Sequence, residues 1–197
     1  MELSPSSEQK PAAVQDRPSA REHLRSLPYN QRLVIGGASA VLVVGSFVRF
    51  GLSGHALVGA ILAPTLVLLA AIDLDRRLIP DVIVLPALAG VLILQIAFYP
   101  EDTLEWVLAM IGAALFLFIP MLISPAAMGM GDVKLAALLG AALGKSVVAA
   151  LFIGLLAGGA YGLVVFAREG LAARRKSIAF GPFLAFGGLV ILFFGGH

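Results

Sequence analysis

The sequence predicts an all-α membrane protein, a polytopic bundle of six or seven transmembrane helices. Hydrophobic residues make up 59% of the 197-residue chain and charged residues only 13%, and the mean hydropathy is +0.97. A soluble domain carries about a quarter charged residues, so this composition excludes a soluble globule. The apolar residues also occur in long runs that short polar segments separate.

The apolar runs approach the length that a helix needs to cross a bilayer, about 17 to 25 residues. The fifth run is short for a full crossing, and we expect it to be thin or tilted, or to extend upstream through Ala126 and Ala127. The seven predicted runs are Leu33–Val48, His55–Ile72, Val82–Phe98, Leu104–Ile123, Val133–Gly144, Ser146–Ala167 and Ile178–Phe194.

Residues 1–32 differ from the rest of the chain, because they are rich in Pro, Ser, Glu, Gln and Arg and contain no long apolar run. This composition is typical of a disordered tail. The apolar core of a signal peptide would begin soon after the first few residues, whereas the first apolar run opens at Leu33, so we expect the tail to stay on the protein. Residues 33–197 then form a single transmembrane domain.

The placement of Lys and Arg predicts how the chain is oriented in the membrane. Cytoplasmic segments are enriched in these residues, so the Arg residues ahead of the first run place the N-terminus in the cytoplasm. Alternate crossings then place residues 73–81, 124–132 and 168–177 on the cytoplasmic side, and residues 99–105 on the opposite side. The basic residues concerned are Arg17, Arg21, Arg25, Arg32, Arg76, Arg77, Lys134, Arg168, Arg174, Arg175 and Lys176.

Several classes of site can be excluded. The chain has no Cys, so it has no disulfide, no thiolate nucleophile and no Cys-based zinc site. His23, His55 and His197 are too scattered to form a metal site or a catalytic triad, and Ser residues in membrane helices usually bond to a backbone carbonyl. We therefore expect no metal and no other cofactor. The weak net charge of +2 gives no support to nucleic-acid binding.

Asp73 and Asp132 stand at the edges of apolar runs. A carboxylate beside the hydrocarbon costs several kcal/mol unless it is paired or hydrated, so its presence there suggests a function. The predicted topology places both carboxylates at the same membrane face. Two carboxylates in one site can carry out a complete hydrolysis without a metal, because the ionised one takes a proton from water while the protonated one polarises the carbonyl under attack.

A glycine-rich turn precedes Asp132. Gly129 and Gly131 allow backbone conformations closed to other residues and a close approach by an extended substrate strand. Asp132 then opens a helix, where a carboxylate accepts free N–H groups and complements the helix dipole. A catalytic role and an ordinary capping role both remain open from these residues alone.

Three ordered motifs resemble those of the type IV prepilin peptidase family, membrane aspartyl proteases of the Gly-x-Gly-Asp type. The resemblance covers about residues 55–195. It implies cleavage of a short basic leader from a prepilin or pseudopilin whose apolar helix lies in the lipid bilayer, at the cytoplasmic face of the inner membrane. The motifs are Asp73-Leu74-Asp75 with Leu78-Ile79-Pro80-Asp81, then Gly129-Met130-Gly131-Asp132-Val133-Lys134-Leu135, then Ala179-Phe180-Gly181-Pro182-Phe183-Leu184-Ala185.

Carried over to this chain, the resemblance implies that Asp73 and Asp132 are the catalytic aspartates. Asp75 would face away from Asp73 on a helix, and Asp81 follows Pro80, which marks the start of the next helix, so Asp73 is favoured over both. The residues expected to bind substrate or to shape the site are Gly129, Gly131, Asp75, Pro80, Lys134, Gly181 and Pro182.

Three of the surrounding features have simple structural interpretations. Arg76 and Arg77 are interpreted as topology anchors rather than as groups that steer substrate. Lys134 could hold a carboxylate or extend to the interface, and the second role is favoured. Gly181 and Pro182 are expected either to kink the last helix or to start it.

Long bacterial members of the family also carry a cytoplasmic domain with two Cys-x-x-Cys pairs, associated with zinc and with N-methylation of the trimmed pilin. The absence of Cys makes this chain similar to the short form, as in the peptidases of tight-adherence (Flp) pilus systems and archaeal preflagellin peptidases. Methyltransferase activity is therefore not expected.

A small proton- or cation-coupled transporter is the main alternative, in which the same carboxylates would relay protons or bind a cation. Carboxylates of a transporter should lie deep within a span, whereas Asp73 and Asp132 are predicted at one face, and no inverted repeat is visible. A noncatalytic membrane scaffold would leave the acidic pair and the glycine turn without a purpose. The sequence therefore favours the peptidase.

Overall fold

The computed structural model describes residues 29–123, 128–170 and 179–195. These residues form seven α-helices and two short 3-10 turns, Pro100–Asp102 and Gly144–Ser146, and they contain no β-strand. The predicted all-α helix bundle is thus confirmed. The helices are α1 (Tyr29–Phe50), α2 (Gly54–Arg76), α3 (Asp81–Phe98), α4 (Thr103–Ile123), α5 (Met130–Leu143), α6 (Val147–Glu169) and α7 (Gly181–Phe194).

The helix bounds lie within a few residues of the predicted runs. The helix start that differs most from its prediction is that of α1, which begins at Tyr29 rather than at Leu33. Asn30 and Gln31 therefore belong to a helix and not to the tail. The remainder of the predicted tail lies outside the described residues, as do the proposed extension through Ala126 and Ala127, the basic residues 174–176 and the terminal His197.

Within the described ranges, five helical stretches are long and apolar enough to cross a membrane. They are α1, α2, α3, α4 with its preceding turn, and Met130–Glu169, which contains α5 and α6. Large apolar side chains such as Val48, Phe152 and Leu163 are exposed on the outside of the bundle. Extended apolar surface of this kind is suited to lipid rather than to water. The chain is a multi-pass membrane protein.

Contacts along α7 show the directions of its neighbours. Gly181, the first residue of α7, lies against Asp73 near the end of α2, and Gly188 lies against Leu66, about two turns earlier in α2. The two helices are therefore antiparallel. Leu139 of α5 also contacts Gly188, and Asp132 lies near Asp73, so α5 runs parallel to α7.

The remaining helices follow from similar contacts. Gly140 of α5 contacts Ala109 of α4, and Gly144 contacts Trp106, so α4 and α5 are antiparallel. Gly187 of α7 contacts Ala150 of α6, which shows that the chain reverses at Gly144 between α5 and α6. We call the end that contains Asp73, Asp81 and Asp132 the aspartate end.

Helix α5 lies at the centre of the bundle, and ten of its 14 residues are buried. A helix of this length measures about 21 Å, less than the roughly 30 Å of hydrocarbon in a bilayer. Because most of its surface contacts protein rather than lipid, α5 does not have to match the bilayer thickness. A buried hydrogen bond from Gln95 Nε2 in α3 to the carbonyl oxygen of Ala142 (2.9 Å) also ties it to its neighbour.

Candidate active site

Asp73 lies in the last turn of α2 and is 5% exposed. Its Oδ2 accepts a hydrogen bond of 2.9 Å from the backbone N–H of Gly181, the first residue of α7. The N-terminal N–H groups of a helix have no partner within the helix and favour a negative charge nearby. A β-carbon at Gly181 would stand 2.8 Å from this oxygen, so the position requires glycine if Asp73 is to keep its place.

Asp132 lies in the first turn of α5 and is 8% exposed. Its Oδ2 accepts a hydrogen bond of 3.2 Å from the N–H of Gly129, while its own N–H donates to the carbonyl oxygen of Gly129 (3.1 Å). This is the acidic half of a capping box. The capping role considered from the sequence is therefore present, and it fixes one carboxylate oxygen at the start of α5.

The two carboxylates lie at the same end of the bundle although 58 intervening residues separate them in the sequence. Asp73 is close enough for its charge to act on Asp132, and the charge of Arg77 acts on Asp73. Both side chains are buried. Two like charges repel each other strongly in a buried site.

Gly129 and Gly131 do not adopt the special backbone conformations that the sequence suggested. Neither is among the described glycines with positive φ, and Gly129 has a φ of −88°, which any residue adopts. The expected special backbone conformations are therefore wrong for both. A β-carbon at Gly131 would lie 2.7 Å from Cβ of Ile79, so Gly131 is approached closely by the α2–α3 connection of the same chain. Ile79 was not singled out from the sequence, although an apolar residue in the short connection between Arg77 and Asp81 was a signal.

Asp75 points away from Asp73, as its spacing in the helix predicts. Asp75 is exposed, and its Oδ2 lies 3.5 Å from Nε of Arg76. Asp81 lies in the first turn of α3, where its Oδ1 accepts a hydrogen bond of 2.6 Å from Nζ of Lys134. Lys134 thus holds a carboxylate, the role that the sequence interpretation ranked second.

Two prolines start helices at the aspartate end. Pro80 is the N-cap residue of α3, and its carbonyl oxygen accepts hydrogen bonds from Ile83 and Val84. Pro182 lies in the first turn of α7, directly after Gly181. Of the two roles considered for Gly181 and Pro182, starting the helix is therefore the one observed. The N–H that binds Asp73 comes from this helix start.

Arg77 ends α2 in an unusual conformation. Its φ of 53° is the single positive value among the described residues other than glycine, and its N–H donates to the carbonyl oxygen of Asp73 (2.8 Å). Such a conformation is uncommon for a residue with a side chain. Arg77 stops the helix four residues after Asp73 and places a positive charge near it, a role beyond the topology anchor inferred from the sequence.

In the described parts of the chain, no group of three or more His, Cys, Asp or Glu side chains is placed to hold a metal ion. Catalysis without a metal remains an expectation. A pair of buried carboxylates is itself suited to general acid–base chemistry, since one group can accept a proton while the other donates one.

Comparisons with known proteins show the family of the chain. The model of the type IV leader peptidase family matches residues 60–163, a stretch that contains both Asp73 and Asp132. The chain is 36% identical over 164 residues to a prepilin leader peptidase/N-methyltransferase of Burkholderia pseudomallei, which covers 80% of this chain and 53% of the relative. It is 32% identical over 164 residues to the Bacillus subtilis protein of the same name, covering 80% of this chain and 63% of the relative. No solved structure matches the chain.

The chain spans about half the length of the curated relatives that it matches. The transporter alternative is not supported, because these relatives are peptidases and because both carboxylates lie at one end of the bundle. The matched stretch holds most of α2 and all of α5, the two helices that carry the aspartates. This chain belongs to the type IV leader peptidase family.

Proposed function

We propose that this protein is a prepilin endopeptidase of the aspartic type, which removes the short basic leader from a prepilin or pseudopilin. The observation that carries the proposal is the burial of Asp73 and Asp132 together at one end of the bundle. Membership of the leader peptidase family supports the class of substrate.

In the proposed mechanism, water is the nucleophile and the two carboxylates hold one proton between them. The ionised carboxylate takes a proton from the water as its oxygen attacks the scissile carbonyl, and the protonated carboxylate donates its proton to the carbonyl oxygen. The tetrahedral intermediate then collapses, the carbon–nitrogen bond breaks, and the leaving amine takes up a proton from the pair. No cofactor enters the reaction.

Two backbone N–H groups orient the pair. The N–H of Gly181 donates to Oδ2 of Asp73, and the N–H of Gly129 donates to Oδ2 of Asp132. Both donors lie at the N-terminal ends of helices, so packing of α7 against α2 and of α5 against α7 holds the two carboxylates in place before substrate arrives. Such preorganisation reduces the cost of reaching the transition state.

The proposed location is the inner membrane, with the aspartate end and the N-terminus of α1 in the cytoplasm. Arg76 and Arg77 lie at the aspartate end, while the acidic Glu101 and Asp102 lie at the opposite end. Basic residues are enriched on the cytoplasmic side. The substrate would lie in the bilayer with its apolar helix, so that the bond to be cut stands at the membrane border.

The relatives' name also includes N-methyltransferase. We propose that this chain trims its substrate without methylating it, since it has no Cys to form the Cys-x-x-Cys pairs associated with that activity. The product of cleavage should then carry an unmodified N-terminal amine.

The test is co-expression of the chain with candidate prepilins, with leader removal followed on a gel and the new N-terminus measured by mass spectrometry. Wild type should shorten at least one prepilin. Asp73→Asn and Asp132→Asn should each abolish cleavage, whereas Asp75→Asn should retain it.

Cleavage that survives both Asp73→Asn and Asp132→Asn would refute the mechanism. Loss of cleavage with Asp75→Asn but not with Asp73→Asn would assign the catalytic role in α2 to Asp75 instead of Asp73. A methylated N-terminus on the trimmed product would contradict the absence of methyl transfer.

A further inference from the structure

A recess between α1 and α2 opens at the aspartate end of the bundle. Its volume is about 420 Å³. Helix α1 contributes Asn30, Gln31 and Val34 to its walls, and α2 contributes Ala71, Leu74 and Asp75. The recess therefore lies beside the last turn of α2, the turn that carries Asp73.

The lining of the recess combines two kinds of surface. Val34, Ala71 and Leu74 provide apolar walls, whereas Asp75 supplies a negative charge and the amides of Asn30 and Gln31 supply further oxygen acceptors. A long apolar stem that ends in a cation matches both kinds of surface at once. Lys and Arg side chains have this form, and their charged ends bind carboxylates well.

Asp75 is accessible to such a cation. Its side chain is 57% exposed, and its ion pair with the adjacent Arg76 is long, at 3.5 Å. Exposed ion pairs of this kind contribute little stability. A cation that also buries its stem against Val34 and Leu74 can therefore compete for the carboxylate.

The recess and the active site lie on opposite sides of α2. Two positions along a helix correspond to a rotation of about 200°, so Asp73 faces α7 while Asp75 faces α1. A helix with its side chains is about 10–12 Å across, and an extended chain advances about 3.3 Å per residue. A substrate strand that crosses the end of α2 would therefore reach the recess about three residues from the bond at Asp73.

We propose that this recess binds a Lys or Arg side chain of the substrate's leader, and that Asp75 selects for its positive charge. The proposal rests on the proposed function. The recess lies at the end of the bundle, so the part of the substrate that reaches it is the part outside the hydrocarbon. For a substrate whose mature portion begins with an apolar helix, that part is the leader.

The test compares wild type and Asp75→Asn, as purified full-length chains in detergent, on a cleaved prepilin and on variants of it. In each variant one basic leader residue is replaced by Gln. For wild type, one replacement about two to four residues from the scissile bond should raise KM and lower kcat/KM about fivefold, the upper range for an exposed ion pair. Asp75→Asn should show the same loss on the unaltered substrate and should no longer distinguish Lys or Arg from Gln at that position.

A charge exchange sharpens the test. Asp75→Lys should cleave poorly when the leader residue is basic and should recover when that residue is replaced by Glu. Asp102→Asn removes an exposed acid at the opposite end of the bundle and should behave as wild type.

The failures of the two proposals are distinguishable. Suppose that wild type cleaves but Asp75→Asn keeps its full preference for a basic residue, or loses activity equally on every substrate. The recess then does not bind the basic leader residue, and the endopeptidase proposal stands. If wild type cleaves no prepilin, the endopeptidase proposal itself fails.

Discussion

Asp73 and Asp132 each accept a hydrogen bond from the backbone N–H of a glycine, Gly181 for Asp73 and Gly129 for Asp132. For Asp73 the reason is steric, because a β-carbon on Gly181 would press on the carboxylate that its own N–H binds. For Asp132 the space around Gly129 is open, and glycine there is not required by a neighbouring side chain. Two similar hydrogen bonds therefore differ in how sensitive they are to substitution.

Gly181→Ala tests the steric requirement. The added methyl group would displace Asp73 while leaving the N–H in place, and displacement of a catalytic group by about 1 Å can cost on the order of 100-fold in rate. We expect kcat for leader removal to fall by about 10- to 100-fold with little change in thermal unfolding. Gly159→Ala in α6 is the matched control, because nothing lies within 4 Å of its β-carbon position, and it should keep wild-type activity. Equal activity of the two variants would contradict the proposed role of Gly181.

At the scale of helices, close approach depends on glycines that face a neighbouring backbone. A β-carbon on Gly140 of α5 would overlap the carbonyl of Ala109 in α4, and one on Gly187 of α7 would overlap the carbonyl of Ala150 in α6. Small residues at such crossings let membrane helices pack closely where the hydrophobic effect between helices is weak. These contacts set how closely α5 packs on α4 and how closely α7 packs on α6. The N-terminal ends of α5 and α7 supply the hydrogen bonds to the two aspartates.

Gly187→Ala should destabilise the bundle. Overpacking of a close contact costs about 1–3 kcal/mol, and here the obstacle is backbone, which cannot change rotamer. We expect the thermal unfolding midpoint of the purified protein in detergent to fall by several degrees. Gly90→Ala in α3 faces open space and should leave the midpoint unchanged or raise it slightly, because Ala favours helix over Gly by about 1 kcal/mol. A Gly187→Ala protein as stable as the Gly90→Ala protein would show that α6 and α7 tolerate a wider separation.

For the whole molecule, the alternation of helix directions brings every described connection to one of two ends. The connections after Phe50, Phe98 and Leu143 lie at one end, and the α2–α3 connection lies at the aspartate end with the starts of α5 and α7. A membrane perpendicular to the helices then separates Asp73 and Asp132 from the acidic Pro100–Asp102 turn. The proposed orientation puts only the aspartate end in contact with cytoplasmic leaders.

Single cysteines can test this orientation, since the chain has no Cys of its own. Asp102→Cys lies at one end, and Leu78→Cys lies in the exposed α2–α3 connection at the other. A membrane-impermeant maleimide should label Asp102→Cys in intact spheroplasts and Leu78→Cys only after lysis. Both should label fully after denaturation, which controls for reactivity. The reverse pattern would place the aspartates on the outer side and would refute the proposed location.

The sequence by itself determined the helix content of the described residues, the approximate bounds of the seven helices found there and the position of both aspartates at a common end. These features depend on local properties: the length of apolar runs, the helical repeat that turns Asp75 away from Asp73, and the alternation of crossings. The bounds that moved are helix ends such as Tyr29, where polar residues continue a helix beyond its apolar part.

Only the tertiary structure decided which groups bind the aspartates and their neighbours. The donor to Asp73 lies 108 residues away at Gly181, and the partner of Asp81 lies 53 residues away at Lys134. Gly131 proved to be a packing residue against Ile79 rather than a source of unusual backbone conformation. Such pairings depend on how helices distant in the chain pack against one another, and an apolar run carries no information about which face of a helix meets which neighbour.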